Sequence, residues 1–170
     1  MLRPAGPDDA AFLVALRVHP DVAPFLGVRE ADEAALRREL ADADPAAAGR
    51  FVIDEGAGPA GALAWRLSSR RSRIADLSEI VVLPEARGRG LGTAAVREAC
   101  RLLADRLDVH RFQLETYAFN EAGIRAFERA GFVREGVRRQ AFWRRDAWQD
   151  GVLFGLLADE LPQGPGPVTN

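Results

Sequence analysis

Cysteine occurs once in the 170 residues, at Cys100, and lysine does not occur. A lone cysteine excludes an internal disulfide, and with only two histidines it excludes a metal site built from cysteine and histidine ligands. Because no acidic cluster of the calcium-loop kind is present either, we predict no metal. The net charge of −2 gives no basic excess of the kind that favours nucleic acid or an anionic membrane as a partner.

Apolar runs of 18 residues, long enough to span a membrane, are also missing, and no signal-peptide core occurs. We therefore expect a cytoplasmic protein without a membrane partner. Hydrophobic side chains are plentiful, at 48% of the total, which suits one domain with a real core. We expect this domain to cover residues 1–160, followed by a disordered tail over 161–170 that is rich in proline and glycine.

Hydrophobic periodicity and turn residues predict the element order β, α, α, several β, α, β, α, β, β. Asp8 or Asp9 can N-cap the first helix, and the second, within residues 29–40, is predicted to place Ala34 or Ala35, Leu36 and Leu40 on its apolar side. An apolar stripe at helical spacing begins at Leu91 and predicts a helix ending near Leu107. Asn120 and Gly131 bracket another, shorter helix as its N-cap and its C′ residue. These patterns favour an α/β (α+β) class, a mixed sheet with helices on its faces and a parallel crossover through the helix that begins at Leu91.

The stretch VVLPEARGRGLGT, residues 81–93, places three alternating glycines between a buried strand and a helix start. Amide groups at a helix N-terminus lack intrahelical partners and carry the positive end of the helix dipole. Glycine lets an anion approach those amides, and Arg87 and Arg89 add charge. We interpret the loop as a seat for a phosphate or pyrophosphate. The alternative is a tight loop that needs glycine only for its turns.

A dinucleotide cofactor is one candidate anion, because GLGTAA, residues 90–95, fits the pattern G-x-G-x-x-A. A dinucleotide fold, however, places the first glycine directly at the strand end, whereas here PEARGR intervenes and Pro84 marks a turn. A Walker A loop is excluded because the sequence has no G-K-[ST]. The dinucleotide hypothesis is therefore disfavoured.

The same loop resembles the acetyl-CoA loop of the GNAT superfamily of N-acetyltransferases, R/Q-x-x-G-x-G/A, with Arg87, Gly90 and Gly92 in the matching positions. Downstream, LETYAFNEAGIRAFERAGFVREG, residues 114–136, is similar to the second cofactor segment of that superfamily. The first and last stretches of the domain resemble the branch that acetylates N-terminal alanine or serine of ribosomal proteins.

The resemblance implies the GNAT fold, with a mixed, mostly antiparallel sheet of about six to seven strands and about four helices. It also implies an acetyl-CoA-dependent N-acetyltransferase, with CoA as a product, that moves an acetyl group directly to a primary amine of a protein N-terminus or a small molecule. Many relatives are homodimers, so a homodimer is expected. A non-catalytic CoA-binding or regulatory module is the alternative.

In this superfamily the strand before the loop separates from its parallel neighbour, and the pantetheine arm pairs with the exposed backbone. The pyrophosphate then lies on the amides of the loop and of the helix start. Carried over position by position, the residues expected to contact acetyl-CoA are Val81, Val82, Leu83, Arg87, Gly88, Arg89, Gly90, Leu91, Gly92, Thr93, Asn120, Phe127 and Arg129.

Acyl transfer to an amine needs a base for the ammonium proton and a donor for the developing oxyanion. The resemblance favours Glu115 as the base, with Glu79 and Asp76 as further candidates on the strand before the loop. Strand alternation places Glu79 and Val81 on one face and Asp76 on the other, unless a bulge intervenes. The oxyanion donor is expected to be a backbone amide near Val82.

Phe127 stands where many members of the superfamily carry a tyrosine that protonates the leaving thiolate. Phenylalanine cannot donate a proton. Tyr117 is the one tyrosine in the chain and is the candidate replacement; otherwise the thiolate leaves unassisted or catalysis is weak. The hypothesis of a non-catalytic module comes from this substitution.

Two surface features complete the predictions. The basic hairpin tip SSRRSR, residues 68–73, is usually a solvated turn, and in a GNAT fold it could favour an acidic acceptor. Trp143 and Trp148 flank a second turn, so we expect them to pair across the hairpin or to line the acceptor pocket.

Overall fold

The computed structural model describes residues 1–27, 32–56 and 58–161. The helices are α1 (Ala10–Val18), α2 (Glu33–Asp42), α3 (Leu91–Leu107) and α4 (Glu121–Ala130). The strands are β1 (Leu2–Pro4), β2 (Ala48–Asp54), β3 (Pro59–Ser69), β4 (Ile74–Val82), β5 (Arg111–Tyr117), β6 (Val133–Arg144) and β7 (Ala147–Leu157). Beyond Leu161, the predicted tail lies outside the described residues.

The strands form one sheet in the order β1-β2-β3-β4-β5-β7-β6. Neighbouring strands are antiparallel except β4 and β5, which are parallel and are connected through α3. The predicted fold class, a mixed and mostly antiparallel sheet flanked by helices, is confirmed. A doubly wound dinucleotide fold would need a mainly parallel sheet, so this topology excludes it.

Helices cover the sheet unequally. On one face α3 and α4 pack over a core in which Phe112, Phe154 and Leu156 are almost completely buried. Burying each such side chain contributes about 1.5–3 kcal/mol. On the other face α1 and α2 form a smaller cluster with Ala62 of β3 and Val81 of β4. The two clusters cover both faces of the middle of the sheet, and β4 ends in this region.

The helix ends confirm some local predictions and correct others. Asn120 caps α4 through its side chain, and Gly131 ends α4 with φ +107°, both as predicted. Asp9 occupies the predicted N-cap position of α1 but makes no capping hydrogen bond; its carboxylate instead accepts hydrogen bonds from Gly6 N–H and the Arg3 guanidinium.

The second helix also differs from its prediction. Of the predicted apolar side, Leu36 is buried and Leu40 packs against the same cluster, as predicted, but Ala34 and Ala35 are both exposed. Asp32 supplies the N-cap by accepting from the Ala34 and Ala35 amides, so these two alanines lie on the first, solvent-facing turn. The first residues of the predicted pattern, 29–31, lie outside the described part of the chain.

Within the described residues, no helix is long and apolar enough to cross a membrane. The same residues contain no group of three or more histidine, cysteine, aspartate or glutamate side chains that could hold a metal ion.

Candidate functional site

A cleft opens where β4 and β5 separate. The two strands pair only from Ile74 to Asp76 of β4, after which β4 continues to Val82 without a β5 partner. The gap, of about 340 Å³, lies between the end of β4, the start of α3 and the exposed side of α4. Every residue predicted to contact the cofactor lines it except Leu83 and Arg89.

The motifs did not indicate the remaining lining residues. These are Val22, Phe25, Ile80, Ala86, Ala122, Gly123, Arg125 and Ala126. Those on α4 share a helical face with Arg129, so a 3.6-residue periodicity applied to that helix could have found them. Val22 and Phe25 belong to the connection between α1 and α2, and no sequence signal ties that segment to the loop.

A β-bulge shapes the end of β4. The pairing of β3 with β4 contains one extra β4 residue, and Glu79 has φ +47°. The extra residue reverses the alternation beyond it, so that Leu77 and Val82 both face α3 while Val81 faces α1 and α2. Asp76, which precedes Leu77, therefore shares a face with Val81. The bulge that the alternation argument allowed for is present.

The bulged strand presents the Val82 backbone to the cleft. The Leu83 amide donates to the Ala60 carbonyl at 2.8 Å, so the backbone of Leu83 faces β3, and Val82 points the other way. The Val82 carbonyl accepts a hydrogen bond from Arg87 Nε at 2.9 Å, and a second Arg87 nitrogen donates to the Asp21 carbonyl at 3.2 Å. Arg87 therefore braces the loop against β4 and the α1–α2 connection.

The glycines of the loop have different roles. Gly88 and Gly90 have φ of +80° and +79°, a backbone conformation that side chains disfavour. A Cβ at either position would meet no atom within 4 Å, so conformation and not crowding requires glycine there. Gly92 lies in the first turn of α3, where a Cβ would make an ordinary 3.6 Å contact with Val82. With Gly90 as N-cap, the first amides of α3 face the cleft without a capping side chain.

The positive charge at the cleft comes from Arg87 of the loop and from two arginines of α4. Arg89 pairs with Glu55 of the β2–β3 turn at 2.6 Å and does not line the cleft. Arg125 and Arg129, one turn apart on α4, do line it. Arg125 also forms an exposed ion pair with Glu121 at 3.3 Å. Because water and salt screen such a surface pair, it holds the Arg125 side chain only weakly.

Two predicted contacts of the second segment lie against the cleft. Asn120 Oδ1 accepts from the Gly123 amide at 3.1 Å, and its Nδ2 donates to Thr116 Oγ1 at 2.9 Å. Phe127 is buried and packs edge-on against Phe154 with ring centroids 6.0 Å apart. The position at which the resemblance leads one to expect a tyrosine thus contributes an apolar wall and no proton donor.

Glu79, one of the three carboxylate candidates, is held by two arginines. Arg17 of α1 binds it at 2.9 Å and Arg50 of β2 at 3.0 Å, and Arg50 also binds Glu39 of α2 at 3.1 Å. This network joins the left-handed bulge residue to α1, α2 and β2. These ion pairs stabilise the backbone conformation of the bulge.

Asp76 is also fully engaged. Its carboxylate accepts from Arg66 at 2.9 Å, from Ser68 Oγ at 2.7 Å and from Gln113 Nε2 at 2.7 Å. These partners come from β3 and β5, so Asp76 links the two strands on either side of β4 just before β4 and β5 separate.

Glu115 differs from the other two because one of its oxygens is unused. Arg138 binds Oε2 at 2.8 Å, while Oε1 is buried and has no hydrogen-bond partner among the described residues. Glu115 lines a second cleft of about 480 Å³ between β4 and β5, together with Ser78 and Gln113. A buried acceptor without a donor is unfavourable, so this oxygen is suited to receive a proton or an N–H donor.

Tyr117 lies away from the cofactor cleft. Its hydroxyl oxygen accepts from Arg144 Nε at 2.9 Å, and its ring stacks on Phe119 with centroids 5.1 Å apart. The tyrosine is buried in these contacts and does not line the cleft around Phe127.

The basic hairpin tip and the two tryptophans make contacts that are common on protein surfaces. Arg70 and Arg73 of the basic hairpin tip pair with Asp44 and Asp108. Trp143 and Trp148 contact each other edge-to-face at 5.4 Å across the β6–β7 turn, and both are about half exposed. The cross-hairpin pairing is confirmed.

Comparison with known proteins gives a family match over most of the chain. Residues 10–132 match the Acetyltransferase (GNAT) family. A segment of 87 residues is 28% identical to the SPbeta prophage-derived uncharacterized N-acetyltransferase YokL of Bacillus subtilis (strain 168). That alignment covers 51% of this chain and 49% of YokL, so the match spans about half the length of this curated relative.

Solved structures match nearly the whole chain. The ribosomal-protein-S5-alanine acetyltransferase of Vibrio fischeri superimposes with a TM-score of 0.83 at 17% identity, covering 95% of this chain and 94% of that one. The spermidine N-acetyltransferase of Vibrio cholerae in complex with CoA and spermine gives 0.82 at 21% identity, covering 95% and 96%. A dodecameric structure of that second enzyme gives 0.78 at 21% identity, covering 94% of each chain. At these identities the likeness shows the fold.

Proposed function

Because the chain belongs to the Acetyltransferase (GNAT) family, we propose that it transfers an acetyl group from acetyl-CoA directly to a primary amine. The observation that carries the proposal is the cleft between β4 and β5, which places an uncapped helix start and an exposed strand backbone on the same opening. The relatives described above are named N-acetyltransferases, which supports acyl transfer as the class of reaction.

The residues present fit acetyl-CoA. Left-handed Gly88 and Gly90 leave open space in front of the α3 amides, and a phosphate there would be bound by backbone N–H groups and by the helix dipole. Arg125 and Arg129 line the opposite wall and supply the counter-charge. The Val82 backbone, which points into the cleft, would pair with an amide of the pantetheine arm.

Bound acetyl-CoA would supply a thioester whose carbonyl carbon is open to attack by an amine. For this chain, the Val82 region would donate a backbone N–H to the carbonyl oxygen as negative charge develops there. Glu115, which lines the second cleft, would take the proton of the attacking ammonium on one carboxylate oxygen, directly or through a water molecule. Arg138 would hold the other oxygen and fix the orientation of the carboxylate.

Direct transfer is favoured over a covalent acetyl-enzyme because the chain offers no thiol nucleophile. Cys100 is completely buried inside α3, and this burial raises the pKa of its thiol far above the ordinary value. A thiol that is neither exposed nor ionised cannot accept an acyl group.

A second candidate function is CoA binding without turnover. Phe127 favours it, because its ring carries no hydroxyl to protonate a leaving thiolate, and Tyr117 is engaged elsewhere. Tyr117 remains a proposed proton donor, but the enzyme hypothesis does not depend on it: as the C–N bond forms and the C–S bond breaks, CoA would leave as the thiolate and take its proton from water.

The acceptor is proposed to be a primary amine of a protein N-terminus or of a small molecule. The two solved relatives act, by their names, on a ribosomal protein and on spermidine. Since one of them has been solved as a dodecamer, we propose that this chain also self-associates, at least as a homodimer.

Thermal unfolding with and without acetyl-CoA tests the proposal, because a ligand that binds only the folded state raises Tm. We expect a rise at millimolar acetyl-CoA, and release of free CoA thiol when a panel of amines is added. Thiol release that is slow with every amine, together with a normal rise in Tm, would favour the non-catalytic module. No rise in Tm would contradict both functions.

A further inference from the structure

Four aromatic rings form a continuous surface that begins at Phe25 in the lining of the cleft and extends beyond it, here called the aromatic wall. Phe25, which lines the cleft, contacts Phe119 with centroids 5.8 Å apart. Phe119 stacks on Tyr117 at 5.1 Å, and Tyr117 meets Phe142 edge-on at 5.1 Å. The wall therefore runs from the α1–α2 connection, past the end of β5, to the β6–β7 hairpin.

Three arginines of the β6–β7 hairpin lie over this wall. The Arg145 guanidinium is 3.9 Å from the centroid of Phe119 and 5.6 Å from that of Phe25. Arg144 lies 5.4 Å over Tyr117, and Arg138 lies 5.7 Å over Phe142. Contact with the rings restrains these planar groups. Arg144 Nε donates to the Tyr117 hydroxyl and its Nη1 to the Trp143 carbonyl, which leaves its second terminal nitrogen to bind another partner.

The positive charge on the wall is not balanced by acidic side chains. Arg138 is paired with Glu115, but Arg144 and Arg145 form no ion pair with any carboxylate of the described residues. Glu79, the other carboxylate near β4, is already held by two arginines of its own. The end of the cleft thus has two guanidinium groups whose charge no acidic side chain among those residues neutralises.

The distance from Glu115 to the Arg144 and Arg145 guanidinium groups limits the size of an amine acceptor that could reach both. Glu115 and Tyr117 are alternate residues of β5, so their side chains leave the same face about 7 Å apart. Arg144 donates to the Tyr117 hydroxyl. An amine placed at Glu115 would therefore have the guanidinium groups within reach of a substituent only a few bonds away.

We propose that the acceptor is a primary amine that carries a carboxylate a few bonds from its nitrogen, bound by Arg144 and Arg145. This inference rests on the proposed acetyl transfer and specifies its substrate class. A polyamine would bring positive charge to the same guanidinium groups, so the wall disfavours it. The carboxylate can belong to a small molecule or to an acidic side chain next to a peptide N-terminus.

The test compares acceptors that differ in one charge. Two pairs suffice: 4-aminobutyrate against 4-aminobutanamide, and the tripeptide Ala-Glu-Ala amide against Ala-Gln-Ala amide, with spermidine as the cationic reference. We expect kcat/KM for the carboxylate member of at least one pair to exceed that of its amide by about tenfold, and spermidine to be the poorest acceptor. Which pair shows the difference distinguishes a small molecule from a peptide.

The variant Arg145→Gln should lower the carboxylate-to-amide ratio about threefold to tenfold, whereas Arg71→Gln should leave it unchanged. Arg71 is an exposed arginine in the β3–β4 turn, so it controls for the loss of one charge. Because the ratio is taken within one variant, partial loss of folded protein does not affect it. Equal rates for both members of each pair, or a preference for spermidine, would overturn the proposal. Absent acetyl-CoA binding would instead contradict the proposed function.

Discussion

The two ends of the cleft are built in different ways. At the glycine loop, one continuous segment supplies the strand end, two left-handed glycines and the first amides of α3. At the aromatic wall, the rings and guanidinium groups come from the α1–α2 connection, from the end of β5 and from the β6–β7 hairpin. Backbone groups dominate the first end and side chains the second. The glycine loop can therefore serve one common anion, whereas the wall can vary with the acceptor.

The largest expected effect is at the loop. Gly90→Asp places a side chain at φ +79° and a negative charge at the helix start, so we expect acetyl-CoA affinity to fall by roughly a thousandfold. Calorimetric titration measures this. Gly56→Asp is the matched control, because Gly56 also has positive φ and open space around it but lies outside the cleft. Equal affinity losses in both variants would show that the loop end has no special role.

A smaller effect is expected between the two ends, at Glu115. Glu115→Gln removes the proposed proton acceptor and should lower kcat/KM by about a hundredfold, with no change in the rise in Tm produced by acetyl-CoA. If the variant keeps its rate, the base lies elsewhere, and the unpartnered oxygen has only a structural role.

Glu79→Gln should affect folding more than chemistry. Breaking the contacts with Arg17 and Arg50 leaves the partly buried Arg17 guanidinium without its carboxylate partner and Arg50 with Glu39 alone, so we expect the free energy of unfolding to fall by about 1–3 kcal/mol. Urea unfolding measures this, and Asp108→Asn, which breaks the exposed pair with Arg73, should change it little. A large loss of kcat at unchanged stability would instead make Glu79 the base.

The smallest effect on stability is expected at Asp9, directly before α1, the helix that precedes the segment carrying Phe25. The hydrogen bond from Arg3 lowers the pKa of Asp9 below its ordinary value of 3.8. The pair therefore stabilises the fold at pH above that value, and the contribution is lost as pH falls through the lowered pKa. Unfolding at pH 6 and pH 3 should show a smaller drop for Asp9→Asn than for wild type. The same drop in both proteins would contradict this assignment.

The sequence predicted the loop end well because its chemistry depends on local backbone. Glycine at Gly88 and Gly90, a turn at Pro84 and a helix from Leu91 are local signals, and the structure contains all three features. The same signals misplaced Arg89, since nothing nearby in sequence reveals its ion pair with Glu55.

The bulge in β4 and the aromatic wall could not be predicted, because both depend on contacts between residues far apart in the sequence. The bulge at Glu79 is stabilised by arginines 62 and 29 positions earlier in the chain, and one extra residue changes which side chains face the cleft. The aromatic wall depends on contacts between Phe25 and residues beyond position 117, which no periodicity encodes.

The most direct measurement follows both products of a reaction that contains the protein, acetyl-CoA and a carboxylate-bearing amine. Chromatography with mass detection would quantify free CoA and acetylated amine. We predict that wild type forms the two in equal amounts and that Gly90→Asp forms neither. CoA released without acetylated amine, or equal product formation by the variant, would contradict direct transfer from a cofactor held in the cleft between β4 and β5.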